Sequence, residues 1–411
     1  MKILFISDNF PPEVNAPATR TFEHCVEWVK AGHAVTVLTS APNFPLGKVY
    51  KGYKNRLYQT ENIEGIRVIR VWTYIAENKG FIKRILDYLS FSFTSFCAGL
   101  KLECDVIVAT SPQFFTALSG YFLAVLKRRP WVFELRDLWP DSIKTVGALK
   151  DGLLFRLLER LEIFLYKKAD LIIPVTEAFK RNLVTRGITP QKQVVITNGC
   201  NLELFQPKPK NQQLLNKLGL EGKFVFSYIG THGMAHSLEF IVAALEDLEN
   251  HYKKNATAIH FLFIGAGARK QACLDLARTK NLQNITFLDP IPKEEVPAYI
   301  SISDVCLAPL LRTETFKTVI PSKIFEAAAM HKPVLLGVEG QAKEIVDKYQ
   351  SGMCYIPENK NDFIEKVLYM YHNPKKLEGF KEGCQNLARD YDRKRLAEQM
   401  LVCLIKTSVC G

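Results

Sequence analysis

The feature that most constrains the fold is a repeated alternation of short apolar runs with segments of helical periodicity. Each run is three to seven residues long, which is typical of a buried parallel strand. The first series predicts strands at 3–6, 34–38, 66–72, 106–109, 131–135, 171–175 and 194–197. A proline-containing linker at 206–209 follows, and the second series predicts strands at 224–228, 259–264, 285–288, 305–307 and 334–336. Two such series predict two doubly wound α/β domains that face a cleft.

We therefore place one α/β domain at 1–200 and a second at 201–390. The length supports this division, because 411 residues exceed the size of one ordinary hydrophobic core. An amphipathic helix within 391–411 ends the chain, and no strand pattern follows it. We expect this helix to return and pack on the first domain.

The net charge narrows the classes of partner that the chain could bind. Lys and Arg number 54 against 42 Asp and Glu, and the net charge of +12 favours anionic partners such as nucleotides or phospholipid head groups. Nucleic acid is not expected, because no recognised nucleic-acid-binding module is visible.

Ten cysteines without a C-x-x-C pair favour free thiols over zinc or disulfides. The apolar N-terminal run is too short for a signal peptide and no run is long enough to span a membrane, so we expect a cytoplasmic protein.

Polar residues after two predicted strands mark candidate sites in the first domain. In a β-loop-α-β unit, ligands meet the loops at the carboxyl ends of the strands, so the loop at 8–20 is a candidate binding loop. Arg136 and Asp137 directly follow the predicted strand 131–135 and occupy the same kind of position. The alternative for this pair is a structural salt bridge beneath Trp139.

The stretch from Pro321 to Val334 predicts a helix that runs into a buried strand. Pro321 suits the first turn of a helix, and Pro333 ends it. The free N–H groups of that turn, the helix dipole and the Lys323 ammonium would create an anion site. Glu326, one turn further, would suit hydroxyl groups beside the anion, such as those of a ribose. The alternative is an ordinary capped helix with an exposed Lys and Glu.

Two segments of the first domain have a mixed composition. Residues 41–65 are polar and aromatic and predict a long, mobile surface loop of the kind that is often functional. Residues 80–102 predict a helix in which aromatic and basic side chains are mixed. Such a helix either lies in a membrane interface, with its cations on acidic head groups, or belongs to the core. Interleaved Ser and Thr residues favour the core.

Six motifs occur along nearly the whole chain: FISDNFPPEVNAPATR (5–20), ELRDLWPDS (134–142), VVITNGCNLELF (194–205), YIGTHGMAHSLE (228–239), FLFIGAGARK (261–270) and PSKIFEAAAMHKPV (321–334). They resemble, in the expected order, the motifs of GT-B-fold retaining glycosyltransferases of family 4. The similarity is to the branch of N-acetylfucosaminyl transferases that build bacterial O-antigen and capsule. The resemblance implies two Rossmann-like domains, of which the first binds the acceptor and the second binds a UDP-sugar. It implies neither a metal ion nor a cofactor besides the UDP-sugar donor.

The resemblance also assigns roles to residues of the second domain. Glu326 matches the second glutamate of the family's paired-glutamate motif, which holds the ribose hydroxyls. Ser322 and Lys323 lie where the family holds the diphosphate, so Lys323 is expected to act in catalysis, and Pro292 lies near the usual base site. Further donor contacts are expected from Gly230, Thr231, His232, Gly265 and Thr318.

Two departures from the family pattern affect the second domain. Thr318 stands where the first glutamate of the pair usually contacts the donor sugar, which fits a deoxy-sugar that lacks the hydroxyl bound there. Thr231 and His236 stand in place of the family's basic pair. Lys323 and backbone N–H groups must then carry more of the phosphate charge.

Two further departures affect the first domain. Arg136 replaces the usual histidine, and we expect Arg136 and Asp137 to be catalytic residues near the acceptor or the sugar. Asn15 and Ala16 replace the family's double-glycine loop and are expected to bind substrate with less backbone freedom.

The family mechanism is a same-face substitution in which the leaving phosphate takes the proton of the acceptor. The net charge and the segment 79–96 favour a polyprenyl-diphosphate-linked acceptor and a peripheral position at the anionic inner face of the cytoplasmic membrane. The product would be a surface polysaccharide such as O-antigen, capsule or lipopolysaccharide. Two alternatives are a UDP-sugar 2-epimerase of similar fold and a non-catalytic scaffold that binds the nucleotide sugar. Thr318 favours the scaffold, whereas Lys323 and Glu326 together favour catalysis.

Overall fold

The computed structural model describes residues 1–44, 47–75, 81–140, 152–252 and 257–410, without the side chains of 81, 82 and 410. The chain divides into two compact units. The first unit comprises residues 1–198 and 393–411, and the second comprises residues 199–392. The boundaries drawn from the sequence lie at 200 and 390.

Strands and helices alternate through both units. The strands are β1 Lys2–Ile6, β2 Ala34–Ser40, β3 Tyr58–Ile63, β4 Ile66–Val71, β5 Val106–Thr110, β6 Trp131–Leu135, β7 Leu171–Pro174, β8 Phe224–Ile229, β9 Ile259–Ile264, β10 Ile285–Leu288, β11 Val305–Pro309, β12 Val334–Gly337 and β13 Gly352–Cys354. The described α-helices are α1 Ala16–Lys30, α2 Phe81–Gly99, α3 Thr116–Lys127, α4 Leu153–Lys168, α5 Glu177–Thr185, α6 Gln212–Leu218, α7 Leu238–His251, α8 Lys270–Thr279, α9 Val296–Ile302, α10 Lys323–Ala329, α11 Gln341–Tyr349, α12 Lys360–His372, α13 Pro374–Asp390 and α14 Arg393–Cys410.

The first unit has a seven-stranded sheet with the order β3-β4-β2-β1-β5-β6-β7. Its neighbouring strands are parallel except β3 and β4, which pair antiparallel at one edge. Alternate residues of a strand point to opposite faces. Leu4 and Ile6 therefore share a core with residues of α2, α3 and α4, whereas Ile3 and Phe5 share one with residues of α1 and α14. Both faces of the sheet are covered, which explains the continuous apolar runs.

The C-terminal helix α14 packs on α1 of the first unit. The Trp28 Nε1–H group donates a hydrogen bond to the Ala397 carbonyl oxygen over 2.9 Å. Met400 and Leu404 are fully buried in the same apolar cluster as Trp28. Arg393 forms an ion pair with Glu23 at the start of this contact.

Within residues 41–65, the prediction of one long loop is wrong. Residues 58–63 form β3, and a tight turn at Glu64 and Gly65, with φ of 52° and 80°, returns the chain into β4. The edge strand has the polar sequence YQTENI with alternating half-exposed residues, so it lacks the apolar pattern of a buried strand.

The strand predicted at 194–197 is not a regular strand in the structure. A single bridge joins Gln193 to Ile172, and the Ile196 N–H donates to the Pro174 carbonyl oxygen over 3.1 Å. The Arg20 guanidinium binds the carbonyl oxygens of Ile196 and Thr197. Since an arginine side chain takes these acceptors, the segment follows β7 without joining the sheet as a strand.

The second unit has a six-stranded sheet with the order β10-β9-β8-β11-β12-β13, and all its neighbouring strands are parallel. β13 lies outside the predicted strands, because three half-buried residues are too few to show a pattern. The predicted fold class of two doubly wound, Rossmann-like domains is thus confirmed.

Helix α2 falls within the helix predicted at 80–102 and has a mixed environment. Phe91 is fully buried, whereas Leu86, Leu89 and Phe93 are exposed. Neither interpretation of this segment, as a core helix or as an interfacial helix, describes all of its apolar residues. Across the described residues, no helix is both long and apolar enough to cross a membrane.

Candidate functional site

The loops after β8, β9, β10 and β11 lie at one edge of the second sheet, because the carboxyl ends of parallel strands meet at the same edge. In that order they carry Gly230, Gly265, Pro292 and Thr318. Helix α10 starts after the fourth loop, at Lys323. Most of the residues predicted to bind the donor are therefore distributed along this edge.

Glycines allow the first two of these loops to pack backbone against backbone. Gly230 and Gly265 have φ of 145° and Gly267 has φ of 158°, values that other residues rarely adopt. A Cβ atom at Gly265 would overlap the Gly230 carbonyl oxygen, and one at Gly267 would overlap the His232 backbone. The His232 N–H donates to the Ala266 carbonyl oxygen over 2.8 Å and fixes the two loops together.

The side chain of Lys323 lies over the loop after β8. A Cβ atom at Gly230 would be 2.6 Å from the Lys323 Nζ, which is 5.0 Å from the centre of the Tyr228 ring. Within the described part of the chain, this ammonium forms no hydrogen bond or ion pair. Burial lowers the pKa of Lys323 below its usual value, although the Glu326 carboxylate opposes the shift. Since a partly buried, unpaired cation is costly, this position favours an anionic ligand.

Two histidines near Lys323 are neutral at physiological pH. Both ring nitrogens of His232 and the Nδ1 of His236 are buried without a hydrogen-bond partner among the described residues. Burial, together with the positive charge of nearby lysines, lowers the pKa of each ring to about 4. The Tyr228 and Phe263 rings lie 5.7 and 6.3 Å from His232, ring centre to ring centre. Positive charge at this loop therefore comes from lysines rather than from the histidines, and of the two lysines near His232, Lys270 is paired with Asp289 whereas Lys323 forms no ion pair among the described residues.

Helix α10 begins two residues later than the predicted start at Pro321. Ser322 is its N-cap residue, and the Ser322 carbonyl oxygen accepts the Phe325 N–H over 3.0 Å. The Ser322 hydroxyl makes no capping bond. The helix has seven residues, so its dipole is small and the ammonium of Lys323 is the larger part of the positive field.

At the position of the family's first glutamate, the side chains of Thr318 and its neighbour Lys317 are both engaged in contacts with other described residues. The Thr318 hydroxyl donates to the Thr315 carbonyl oxygen over 2.7 Å. Lys317, its neighbour, pairs with Glu314 at 2.6 Å and lies 3.8 Å from a Glu339 carboxylate oxygen. The Thr318 hydroxyl is therefore engaged within its own loop, and Lys317 lies between that loop and the one after β12.

The other residues predicted to bind the donor differ in exposure and in position along the sheet edge. Thr231 is exposed on the loop after β8, and Glu326 is half-buried on α10. Pro292 follows β10, the strand at the outer edge of the sheet. It is thus the predicted residue furthest along the edge from Lys323.

In the first unit, Asn15 and Ala16 form the start of a helix rather than a loop. The Asn15 Oδ1 accepts the Ala18 N–H over 2.9 Å, and its Nδ2 donates to the Asn9 Oδ1 over 3.0 Å. Ala16 is the first residue of α1. The predicted binding loop at 8–20 therefore ends at Asn15, because an Asn cap is a strong helix-start signal.

Arg136 is bound to the same helix start. Its Nη1 donates to the Pro17 carbonyl oxygen over 3.2 Å, and its backbone N–H donates to the Ser111 Oγ over 2.8 Å. Burial lowers the pKa of Arg136, although the Glu134 carboxylate opposes the shift. Asp137, the next residue, is half-buried. The structure thus brings Arg136 next to the helix start that Asn15 and Ala16 form, at one edge of the first sheet.

A buried ion pair beside these residues is not predicted by any of the sequence patterns. The Arg20 Nε donates to the Glu134 Oε1 over 2.8 Å, and both side chains are 1% exposed. Burial alone would raise the pKa of Glu134, but the charges of Arg20 and Arg136 outweigh it and lower the pKa. The available signal is a lone glutamate within the apolar strand WVFEL and an arginine on the buried face of α1.

Comparison with sequence families finds a match within each of the two units. Residues 15–199 match the family described as "Glycosyl transferase 4-like domain", and residues 223–373 match "Glycosyl transferases group 1". The chain is 23% identical to the putative colanic acid biosynthesis glycosyl transferase WcaI of Escherichia coli (strain K12), over 97% of each chain.

Solved structures share the fold of the whole chain. Sucrose-phosphate synthase from Thermosynechococcus elongatus matches with a TM-score of 0.80 at 18% identity, over 100% of both chains. Anabaena HepE, in a complex with UDP-glucose, matches with a TM-score of 0.73 at 16% identity, over 99% of this chain and 100% of that one. At these identities the likeness concerns the fold.

Proposed function

Because residues 15–199 form a glycosyl transferase 4-like domain and residues 223–373 a domain of the glycosyl transferases group 1, we propose that this glycosyltransferase uses a UDP-sugar as its donor. The observation that carries the proposal is the Lys323 ammonium, which forms no hydrogen bond or ion pair among the described residues and lies above the loop at Gly230, where the backbone carries no side chain. A diphosphate would neutralise this cation and could approach the backbone closely at the glycine. The UDP-glucose complex of HepE, a protein of the same fold, supports uridine diphosphate as the nucleotide.

The proposed reaction retains the configuration of the sugar and needs no metal ion. The bond from the sugar C1 to the β-phosphate oxygen breaks while the acceptor oxygen bonds to C1 on the same face. The acceptor proton passes to the leaving phosphate. Lys323 stabilises the negative charge that develops on the diphosphate, and Glu326 binds the ribose hydroxyls. Arg136 and Asp137 in the first unit would lie near the acceptor or the sugar.

The proposed acceptor is a lipid-linked saccharide of bacterial surface polysaccharide assembly. The name of the relative WcaI, a putative enzyme of colanic acid biosynthesis, supports this setting. An acceptor on a polyprenyl diphosphate would require the enzyme to work at the inner face of the cytoplasmic membrane as a peripheral protein. Thr318 in place of a glutamate fits an N-acetylated deoxy-hexose as the transferred sugar, because one hydroxyl contact is missing.

Thermal unfolding with UDP tests the donor site. UDP at about 100 times its dissociation constant would stabilise the native protein by roughly 2.7 kcal/mol. We expect Lys323→Ala to abolish most of this shift. Lys332→Ala is the matched control, since Lys332 is a half-buried lysine beyond the other end of α10 whose ammonium donates to the Ser301 carbonyl oxygen. Equal stabilisation of both variants by UDP would show that Lys323 does not hold the diphosphate.

Incubation with a panel of UDP-sugars then separates the activities. Transfer requires an acceptor and releases UDP. Conversion of the UDP-sugar without an acceptor would instead identify an epimerase, and binding without turnover of any donor would identify a scaffold.

A further inference from the structure

Three helices on one face of the first sheet leave large apolar side chains in solvent. On α2 they recur at i, i+3 and i+7, and the outermost, Phe93, is 68% exposed. On α4, Leu157 is 61% exposed. The α2–α4 surface is defined here as Leu86, Leu89, Phe93, Phe122, Val125, Leu126, Leu157 and Phe164, and Leu153 and Leu154 in the first turn of α4 are exposed as well.

Ring contacts join the three helices into one apolar surface. Phe96 of α2 lies 6.3 Å from Phe122 of α3, ring centre to ring centre. Tyr121 of α3 lies 5.4 Å from Phe122 and 5.3 Å from Phe164 of α4. A continuous exposed patch of this kind marks an interaction site, unlike single exposed side chains.

The surface is bordered by basic side chains with few acidic ones. Arg156 and Arg160 lie one turn apart on α4, and both are exposed and free of ion pairs within the described residues. Lys168 lies over the Phe164 ring at 5.9 Å. The other exposed cations of these helices are Lys83, Arg84 and Lys167.

The acidic residues of the same helices do not balance these charges. Asp87 accepts a hydrogen bond from the Thr73 hydroxyl over 2.8 Å. Glu162 is buried and pairs with Arg186. Glu159 is the remaining carboxylate among the described residues of α2, α3 and α4, and it is half-buried.

We propose that the α2–α4 surface docks the protein on an anionic lipid bilayer. Apolar side chains would enter the boundary between head groups and acyl chains, while the bordering arginines and lysines bind lipid phosphates. The proposal deepens the proposed function and rests on it, because docking brings the first unit to a lipid-linked acceptor. A second copy of the chain fits less well, since a twofold contact of this surface with itself would oppose cation to cation.

Flotation of the full chain with vesicles tests the surface. The vesicles are made of phosphatidylcholine alone or of phosphatidylcholine with phosphatidylglycerol. One variant, Phe122→Ser/Leu157→Ser, removes apolar area, and another, Arg156→Gln/Arg160→Gln, removes charge. The matched control, Val402→Ser/Val409→Ser, removes exposed apolar side chains from α14 on the opposite face of the same sheet.

We expect the native chain to float with anionic vesicles and to be released by about 0.5 M salt. Each surface variant should lower the partition coefficient by roughly tenfold or more, and the control should not change it. Flotation that is absent at low salt, or equal in all variants, would overturn the proposal. A dimer in sedimentation that the Phe122→Ser/Leu157→Ser change dissociates would also overturn it, by identifying a second copy as the occupant.

Two readouts keep this test separate from the proposed function. Thermal unfolding shows whether each variant is folded, and the charge variant, which changes exposed side chains alone, remains informative if the apolar variant is unstable. Stabilisation by UDP should be the same in all variants, because the donor site lies in the second unit. Loss of flotation with intact UDP stabilisation supports the surface. Normal flotation without any UDP stabilisation leaves the surface in place and contradicts the donor assignment.

Discussion

Replacing Gly230 with alanine would displace Lys323 and test whether its position controls donor binding. The added Cβ would lie 2.6 Å from the Lys323 Nζ and 2.8 Å from its Cε. Ordinary contacts of such atoms lie at about 3.5 Å or more, so the ammonium must move by about 1 Å. A displacement of that size in a catalytic group costs about 100-fold in rate. We therefore expect kcat/KM to fall by about 100-fold and the UDP-induced stabilisation to decrease.

The same substitution also strains the backbone, and the control must account for this. Gly230 has φ of 145°, and holding alanine there costs on the order of 1–3 kcal/mol. Gly222→Ala is a suitable control, because Gly222 has φ of 70° and no heavy atom within 4 Å of its added Cβ. It should lower the free energy of unfolding by about 1–2 kcal/mol and leave turnover unchanged. Urea unfolding and steady-state transfer measure the two effects independently.

A double-mutant cycle gives the decisive result. If Gly230→Ala acts by displacing the lysine, it should add little to the loss already caused by Lys323→Ala. Independent, additive losses would refute the reasoning, and so would near-native turnover of a folded Gly230→Ala protein. Equal losses of activity in Gly230→Ala and Gly222→Ala would attribute the effect to stability.

Three further predictions concern stability. The pKa of His232 and of His236 is about 4 in the native state and about 6.5 in the unfolded state, so the unfolded chain binds more protons between these values. The free energy of unfolding should therefore fall as pH decreases from about 6.5 towards 4, by at most about 1.4 kcal/mol per pH unit per ring. Urea unfolding of His232→Gln should show a shallower dependence on pH. Arg20→Met should cost about 3–5 kcal/mol in the same measurement, because it removes the ion pair of the buried Glu134 and the bonds to the Ile196 and Thr197 carbonyl oxygens, and Arg20→Met/Glu134→Leu should recover the part that comes from Glu134. Trp28→Phe should lower the free energy of unfolding by about 1 kcal/mol through the lost bond to Ala397. Relative to the native chain, it should accelerate hydrogen exchange in α14 more than in α7 of the second unit.

The strands of both sheets were predictable where burial on two faces produces a continuous apolar run. β6 and β9 have the predicted bounds, because their apolar runs are bordered by loop residues. β3 was not predictable in this way, since an edge strand exposed to water needs no apolar pattern. Its turn at Glu64 and Gly65 was the available signal, but a positive φ at a glutamate is not visible in the sequence.

The candidate site was predictable where one residue type has one use. Lys323 was named because an ammonium beside the free N–H groups of a helix start suits an anion, whereas Gly230 and Gly265 were named through the family resemblance. Asn15 was misinterpreted as a loop residue, because asparagine caps helices as readily as it binds ligands and both uses look alike in sequence. The pair of Arg20 and Glu134 joins residues far apart in the chain, and their contact depends on the fold that brings α1 beside β6.

The α2–α4 surface shows why exposure, rather than composition, separates two interpretations of one segment. The residues of α2 alternate between core and solvent, so its mixed composition was compatible with both a core helix and an interfacial helix. The structure divides them: Phe91 faces the sheet, while Phe93 lies on the exposed stripe. The exposed residues of α3 and α4 gave no such signal, because leucines and phenylalanines at helical spacing are typical of core helices. A docking surface that spans three helices therefore follows from the fold and the basic border together, and a sequence window on any one helix contains too little of it.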